Sequence, residues 1–208
     1  GWLVLAVLIA LVSIVAGYLA SRVTVGFARE WFRPMFHENP EDDAQRIGFL
    51  AARSVIATFN TLVLFAVAII VAIIFDIGHQ PTRQTILVVI VGYTFWRFLH
   101  FVVSMNLFAP DLPRHRMLAI SDTDAVAISR DFRWVSAIAV IVISVSEWLV
   151  RLELDGDANK LLLIASSFVA AGLIVFLAIR HRRAIAGAIL GEADPDTRPI
   201  WLRPLPSS

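Results

Sequence analysis

Long apolar runs alternate along this chain with short polar clusters. Three runs, Trp2 to Ala20, Ser54 to Phe75 and Leu161 to Ile179, contain no Asp, Glu, Lys or Arg. Two more are broken only lightly: Gln84 to Leu107 by Arg97, and Phe132 to Val150 by Arg133 near its start and Glu147 near its end. A bilayer core about 30 Å thick takes roughly 20 apolar residues at 1.5 Å rise each, and only a helix pairs its own backbone groups in lipid. The pattern predicts an all-α integral membrane protein with about five transmembrane helices packed as antiparallel hairpins. Their approximate spans are 2–20, 50–75, 84–107, 132–150 and 160–180, within one transmembrane region covering 1–208. Residues 191–208 read as a cytoplasmic tail or a linker toward a further helix.

The polar clusters punctuate these runs. Pro34 and Pro40, with Glu38, Glu41, Asp42 and Asp43, separate the first two spans; Asp76-Ile77-Gly78-His79-Gln80-Pro81 turns between the second and third. Ala109-Pro110-Asp111-Leu112-Pro113 ends the third, because proline forbids helix continuation. Ser121, with Asp124 three residues on, resembles a capping box that starts a helix running into the fourth span. Asp155-Gly156-Asp157 makes the last turn. The chain opens at Gly1 inside an apolar run, without an initiating Met or basic flank, and is expected to be cut from something longer.

Charge then orients the spans. Arg22, Arg29, Arg33, Arg46 and Arg53 lie between spans one and two, Arg114, Arg116, Arg130 and Arg133 between three and four, and Arg180, Arg182, Arg183, Arg198 and Arg203 after five. The opposite connections carry only Arg83, and Arg151 with Lys160. The positive-inside rule makes the arginine-rich group cytoplasmic, so the chain is expected to start outside, on the periplasmic side, and end inside. Composition agrees: 58% hydrophobic and 17% charged residues, against about 25% charged in soluble domains. The net charge of +1 leaves no basic domain for nucleic acid, and the absence of Cys excludes disulfides, thiolate catalysis and the usual zinc sites.

Candidate function lies in a few side chains. Ala6, Ala10, Ser13 and Gly17 line one face of the first span, and Ala57, Thr61, Ala68 and Ala72 do the same in the second. Small faces let helices approach closely, so these are helix-packing positions, with an oligomer contact as the alternative. Tyr93, Arg97, His100 and Ser104 form a polar stripe on the third span beside Trp96. An Arg within a span is a functional candidate by default. Because the other spans offer it no acidic partner, Glu147 lying near the opposite end of the fourth, Arg97 is expected to snorkel to lipid phosphate, with a pathway role as the alternative. Phe27, Trp31, Phe32, Met35 and Phe36, interleaved with Arg29 and Arg33, suit a segment at the membrane surface. The lipid-interface or tension-sensing candidates are therefore Trp31, Arg33, Trp96, Arg97, His100, Arg133 and Trp134.

Catalytic motifs are missing. The five histidines, His37, His79, His100, His115 and His181, show no ligand spacing, and there is no HExxH, GxSxG, P-loop or dinucleotide fingerprint. Asp155-Gly156-Asp157-Ala158-Asn159 begins like a calcium loop, but Lys160 stands where Gly is required and Ser166 where the bidentate Glu belongs, so it reads as a polar turn. No cofactor, metal or enzymatic activity is expected.

The stretch Ala109-Pro110-Asp111-Leu112-Pro113-Arg114-His115-Arg116-Met117-Leu118-Ala119-Ile120-Ser121-Asp122-Thr123-Asp124-Ala125 resembles a connector of larger bacterial MscS-like mechanosensitive channels. The lead from Val126 to Arg133, the fourth and fifth spans, and the basic ending Arg180-His181-Arg182-Arg183-Ala184-Ile185-Ala186-Gly187-Ala188-Ile189-Leu190-Gly191 are similar to that family too. The resemblance covers roughly the second half of the chain. Ala119 stands where the connector often has Pro, and the family's pore helix and β-rich domain have no counterpart in these residues. It implies the tension-sensing paddle region of a small-conductance channel for osmotic release, in the bacterial inner membrane. The implied partners are membrane lipids and further copies of the chain, as a homo-heptamer. The alternatives are a transporter or membrane-enzyme subunit, in which Arg97 and His100 contact an anionic substrate, and a scaffolding membrane subunit.

Overall fold

The structure, a computed structural model, describes residues 1–31, 43–75, 78–112, 120–152 and 156–190. The described residues are helical with connecting turns. They form α1 (Trp2–Trp31), α2 (Asp43–Ile74), α3 (Gln80–Phe98), α4 (Asp122–Arg151), α5 (Gly156–Arg180) and α6 (Arg182–Leu190). α3 does not stop at Phe98; it widens into a π-helical segment, Leu99–Ser104, and closes with one α turn, Met105–Leu107. Five of these stretches are long and apolar enough to cross a membrane: Trp2–Phe27, Ala44–Ile74, Gln80–Leu107, Asp122–Arg151 and Lys160–Arg180.

The helices outrun the apolar runs that predict them. α1 and α4 have 30 residues each, about 45 Å at 1.5 Å per residue, so each carries polar turns beyond its apolar stretch. The aromatic sequence from Phe27 therefore starts as the last turn of α1 rather than as a separate surface segment; Phe32, Arg33, Met35 and Phe36 lie outside the described residues. So does the 191–208 tail.

Local chemistry explains the ends. α3 starts behind His79, with Pro81 in its first turn where no N–H is missed, and the His79 ring shares a 2.8 Å hydrogen bond with the Thr82 hydroxyl. Gly78 supplies the positive φ of 73° that the preceding turn needs. α4 is capped as its sequence predicts: the Asp124 N–H donates to Ser121 Oγ at 3.1 Å, and that hydroxyl donates to the Asp124 carboxylate.

Packing centres on α3, which touches α1, α2 and α4. On one side, Ala6, Ile9 and Ala10 of α1 share a core with Ala68 and Ala72 of α2 and Ile86 and Ile90 of α3. Further along α1, Gly17 lies so close to α2 that a Cβ there would collide with the Leu64 carbonyl. On the other side, α4 packs on α3 and carries α5. α5 is far less covered: 6% of its apolar window is buried, against 28% for α1 and α2.

Candidate functional site

Three of the long helices each bring a polar group to one cluster. Arg97 ends the α-helical part of α3 and is 7% exposed, enclosed by side chains of α1 and α2. Its guanidinium sits over the rings of Tyr18, 5.6 Å to the centroid, and Phe101, 4.9 Å. Asn60 of α2, oriented so that both ends of its amide are paired, accepts from Arg97 Nη2 at 3.0 Å and donates to the Ser21 carbonyl and hydroxyl of α1 at 3.1 and 3.0 Å. Tyr18, Ser21, Asn60 and Arg97 thus cross-link α1, α2 and α3 through one cluster.

These partners do not neutralise the charge. Within a span, an arginine is unfavourable by about 2.5–3.5 kcal/mol on insertion scales. An interhelical amide bond returns about 1–2 kcal/mol at best and ring contacts about 0.5–2. Arg97 Nε remains buried without a hydrogen-bond partner, and among the described residues no carboxylate pairs with Arg97. Arg97 is thus buried between helices, where the Asn60 amide and a cavity receive its guanidinium.

That cavity, about 580 Å³, lies between α1, α2 and the end of α3. Arg97, Asn60, Thr61, Arg53 and Asp111 are its polar lining residues. Arg53 Nη2 binds both Asp111 oxygens, at 3.1 and 2.8 Å, while its Nη1 is buried and unpaired. The remaining walls include Phe49, Ile56, Phe101 and Met105.

The rest of the predicted polar stripe diverges from Arg97. Beyond Leu99 the wider π turn re-phases the helix, and Ser104 is buried against Ser129 of α4, hydroxyl to hydroxyl at 3.0 Å. His100 stacks on Trp96, 6.1 Å between centroids, with Phe101 at its edge, and does not line the cavity. Trp96 reaches α4, where its Nε1–H donates to the Arg133 carbonyl at 3.3 Å and the Arg133 guanidinium lies over its ring. Trp134 points outward, 64% exposed. Trp31 closes α1, its side chain outside the described set, and Arg33 lies outside the described residues.

A second cavity, about 510 Å³, runs between α3 and α4 and is walled almost wholly by apolar atoms. Val88, Val89, Tyr93, Ala137, Val140 and Ile141 are among its walls. A polar tie stands at either end: Trp96 on the Arg133 carbonyl, and the Trp148 Nε1–H on Thr85 Oγ1 at 2.7 Å. Among the described residues no cluster of His, Cys, Asp or Glu is arranged to hold a metal ion.

Asn60 is the partner that sequence reasoning missed, since the search was for an acid. It is the most polar residue in an otherwise apolar run, and it stands close to the arginine-rich end, as do Ser21 and Arg97. Equal depth of one polar residue in each of three spans was the available signal. Comparison with protein-family models, with curated proteins and with solved structures finds no match for this chain.

Proposed function

We propose that this chain is the tension-sensing transmembrane region of a small-conductance mechanosensitive channel of the MscS-like kind, serving osmotic release in the bacterial inner membrane. It acts through lipid contacts and not as an enzyme. The five spans pack as antiparallel hairpins, with the start of the chain periplasmic and its end cytoplasmic, as the arginine distribution favours. Further copies complete the assembly, seven in all if the resemblance of residues 109–125 holds.

The observation that carries this reading is the apolar cavity between α3 and α4, tied at both ends by tryptophan hydrogen bonds. A slot of that chemistry takes acyl chains. If the slot is filled in one state and emptied in the other, lipid binds the two states unequally, which is the condition for shifting a conformational equilibrium. Tension then favours whichever state occupies more membrane area. Patch recordings under graded suction on the complete protein test this: tension-gated current is expected, with its threshold moved by Ala137→Trp, which fills the slot. Absence of tension-gated current counts against the reading.

A second reading is a transporter subunit holding an anionic substrate, and one observation favours it: Arg97 is buried and faces a cavity of about 580 Å³. In that case Arg97→Gln abolishes uptake into sealed vesicles, whereas a tension sensor has no uptake to lose.

A further inference from the structure

We propose that the cavity between α1, α2 and the end of α3 is a binding site for a monoanionic phosphate ester, held by Arg97 and Arg53, with a phospholipid phosphodiester as its source. The site rests on neither functional reading above; it follows from charge and unpaired donors. Arg97 is more than nine-tenths buried, yet its Nε has no partner. Arg53, which lines the same cavity, donates from Nη2 to Asp111 and has its Nη1 buried and unpaired. Buried donors without acceptors are unfavourable, and charged ones most so, and both of these arginines line the one cavity.

The charge balance selects the ligand. Among the described residues, two arginines and one aspartate line the cavity, a balance of one positive charge. A phosphodiester carries one negative charge and offers several acceptor oxygens, matching both that charge and the unpaired nitrogens. Arginine suits this task because its planar donor fork matches phosphate geometry. Asn60, itself tied to Ser21, holds the Arg97 guanidinium in place, so little order is lost on binding. Phe49, Ile56 and Phe101 give the rest of the wall an apolar character suited to the glycerol and upper acyl segments of a lipid. A free phosphate shares the ester's donors but gains nothing from those side chains and carries up to twice the charge.

Native mass spectrometry of the complete chain tests the site, with phosphatidylglycerol, uncharged diacylglycerol and inorganic phosphate as separate probes. Phosphatidylglycerol is expected to survive delipidating washes and diacylglycerol to be lost. Arg97→Gln is expected to weaken phosphatidylglycerol retention about tenfold, the loss of one charge-assisted hydrogen bond. Ile56→Trp, which fills the cavity and leaves both arginines in place, reports the same loss if Arg97→Gln does not fold. Thermal stabilisation by millimolar inorganic phosphate, without lipid retention, would keep the phosphate chemistry and overturn the lipid source. Equal retention of both lipids, unchanged in Arg97→Gln and Ile56→Trp and without a phosphate effect, overturns the site.

Discussion

α1 and α5 are built from much the same residues and are used in different ways. Both are apolar runs salted with small side chains, Ala6, Ala10, Ser13 and Gly17 in one, Ala165, Ser166, Ala170, Ala171 and Gly172 in the other. On α1 the small face is closed: Ala6, Ala10 and Ser13 are fully buried, and Gly17 admits the Leu64 backbone where no Cβ would fit. A Cβ added at Gly172 of α5 would enter open space, and Phe168, Ile174 and Phe176 are exposed. Small residues confer the capacity for close helix approach, and only a partner turns that capacity into stability. In the proposed assembly, α5 meets lipid or the neighbouring copy, whereas α1 is already part of a closed three-helix core.

Substitutions can break this contrast. The largest effect is expected from Gly17→Leu, since the collision is with backbone that cannot turn aside; a loss of about 3 kcal/mol or more is expected in reversible micelle unfolding. Next is Asn60→Ala, which leaves Arg97 Nη2 and the Ser21 groups without their shared amide. It is expected to lower stability by about 1–2 kcal/mol, measured the same way. Trp148→Phe keeps an aromatic ring but removes the donor to Thr85 and part of the indole's volume, for about 1 kcal/mol. Gly172→Leu is expected to change stability by less than about 0.5 kcal/mol, because the new side chain enters open space. Equal losses for Gly17→Leu and Gly172→Leu would mean that the two faces are covered alike.

Much of the scaffold was legible in residue order. Runs of apolar residues located the five long helices, Ser121 and Asp124 marked the start of α4, and Pro110 marked the end of the third stretch. Helix ends were less legible, since α1 and α2 continue through polar residues that hydropathy assigns to loops. The π segment Leu99–Ser104 has no residue signature, because an inserted residue is accommodated by tertiary packing and not by local propensity. It is what parts Ser104 from Arg97. The enclosure of Arg97 was not legible, because its partners are an amide and two rings on other helices rather than a carboxylate.

Tension sensing of the proposed kind requires five crossings with strictly alternating connections. The chain has no cysteine, so single introduced thiols report their own side. In intact cells, His79→Cys and Asp157→Cys are expected to react with a membrane-impermeant maleimide. Thr123→Cys and Arg182→Cys are expected to react only after the inner membrane is opened. Labelling of His79→Cys and Thr123→Cys from the same side would contradict the crossing between them, and with it the sensor built on α3 and α4.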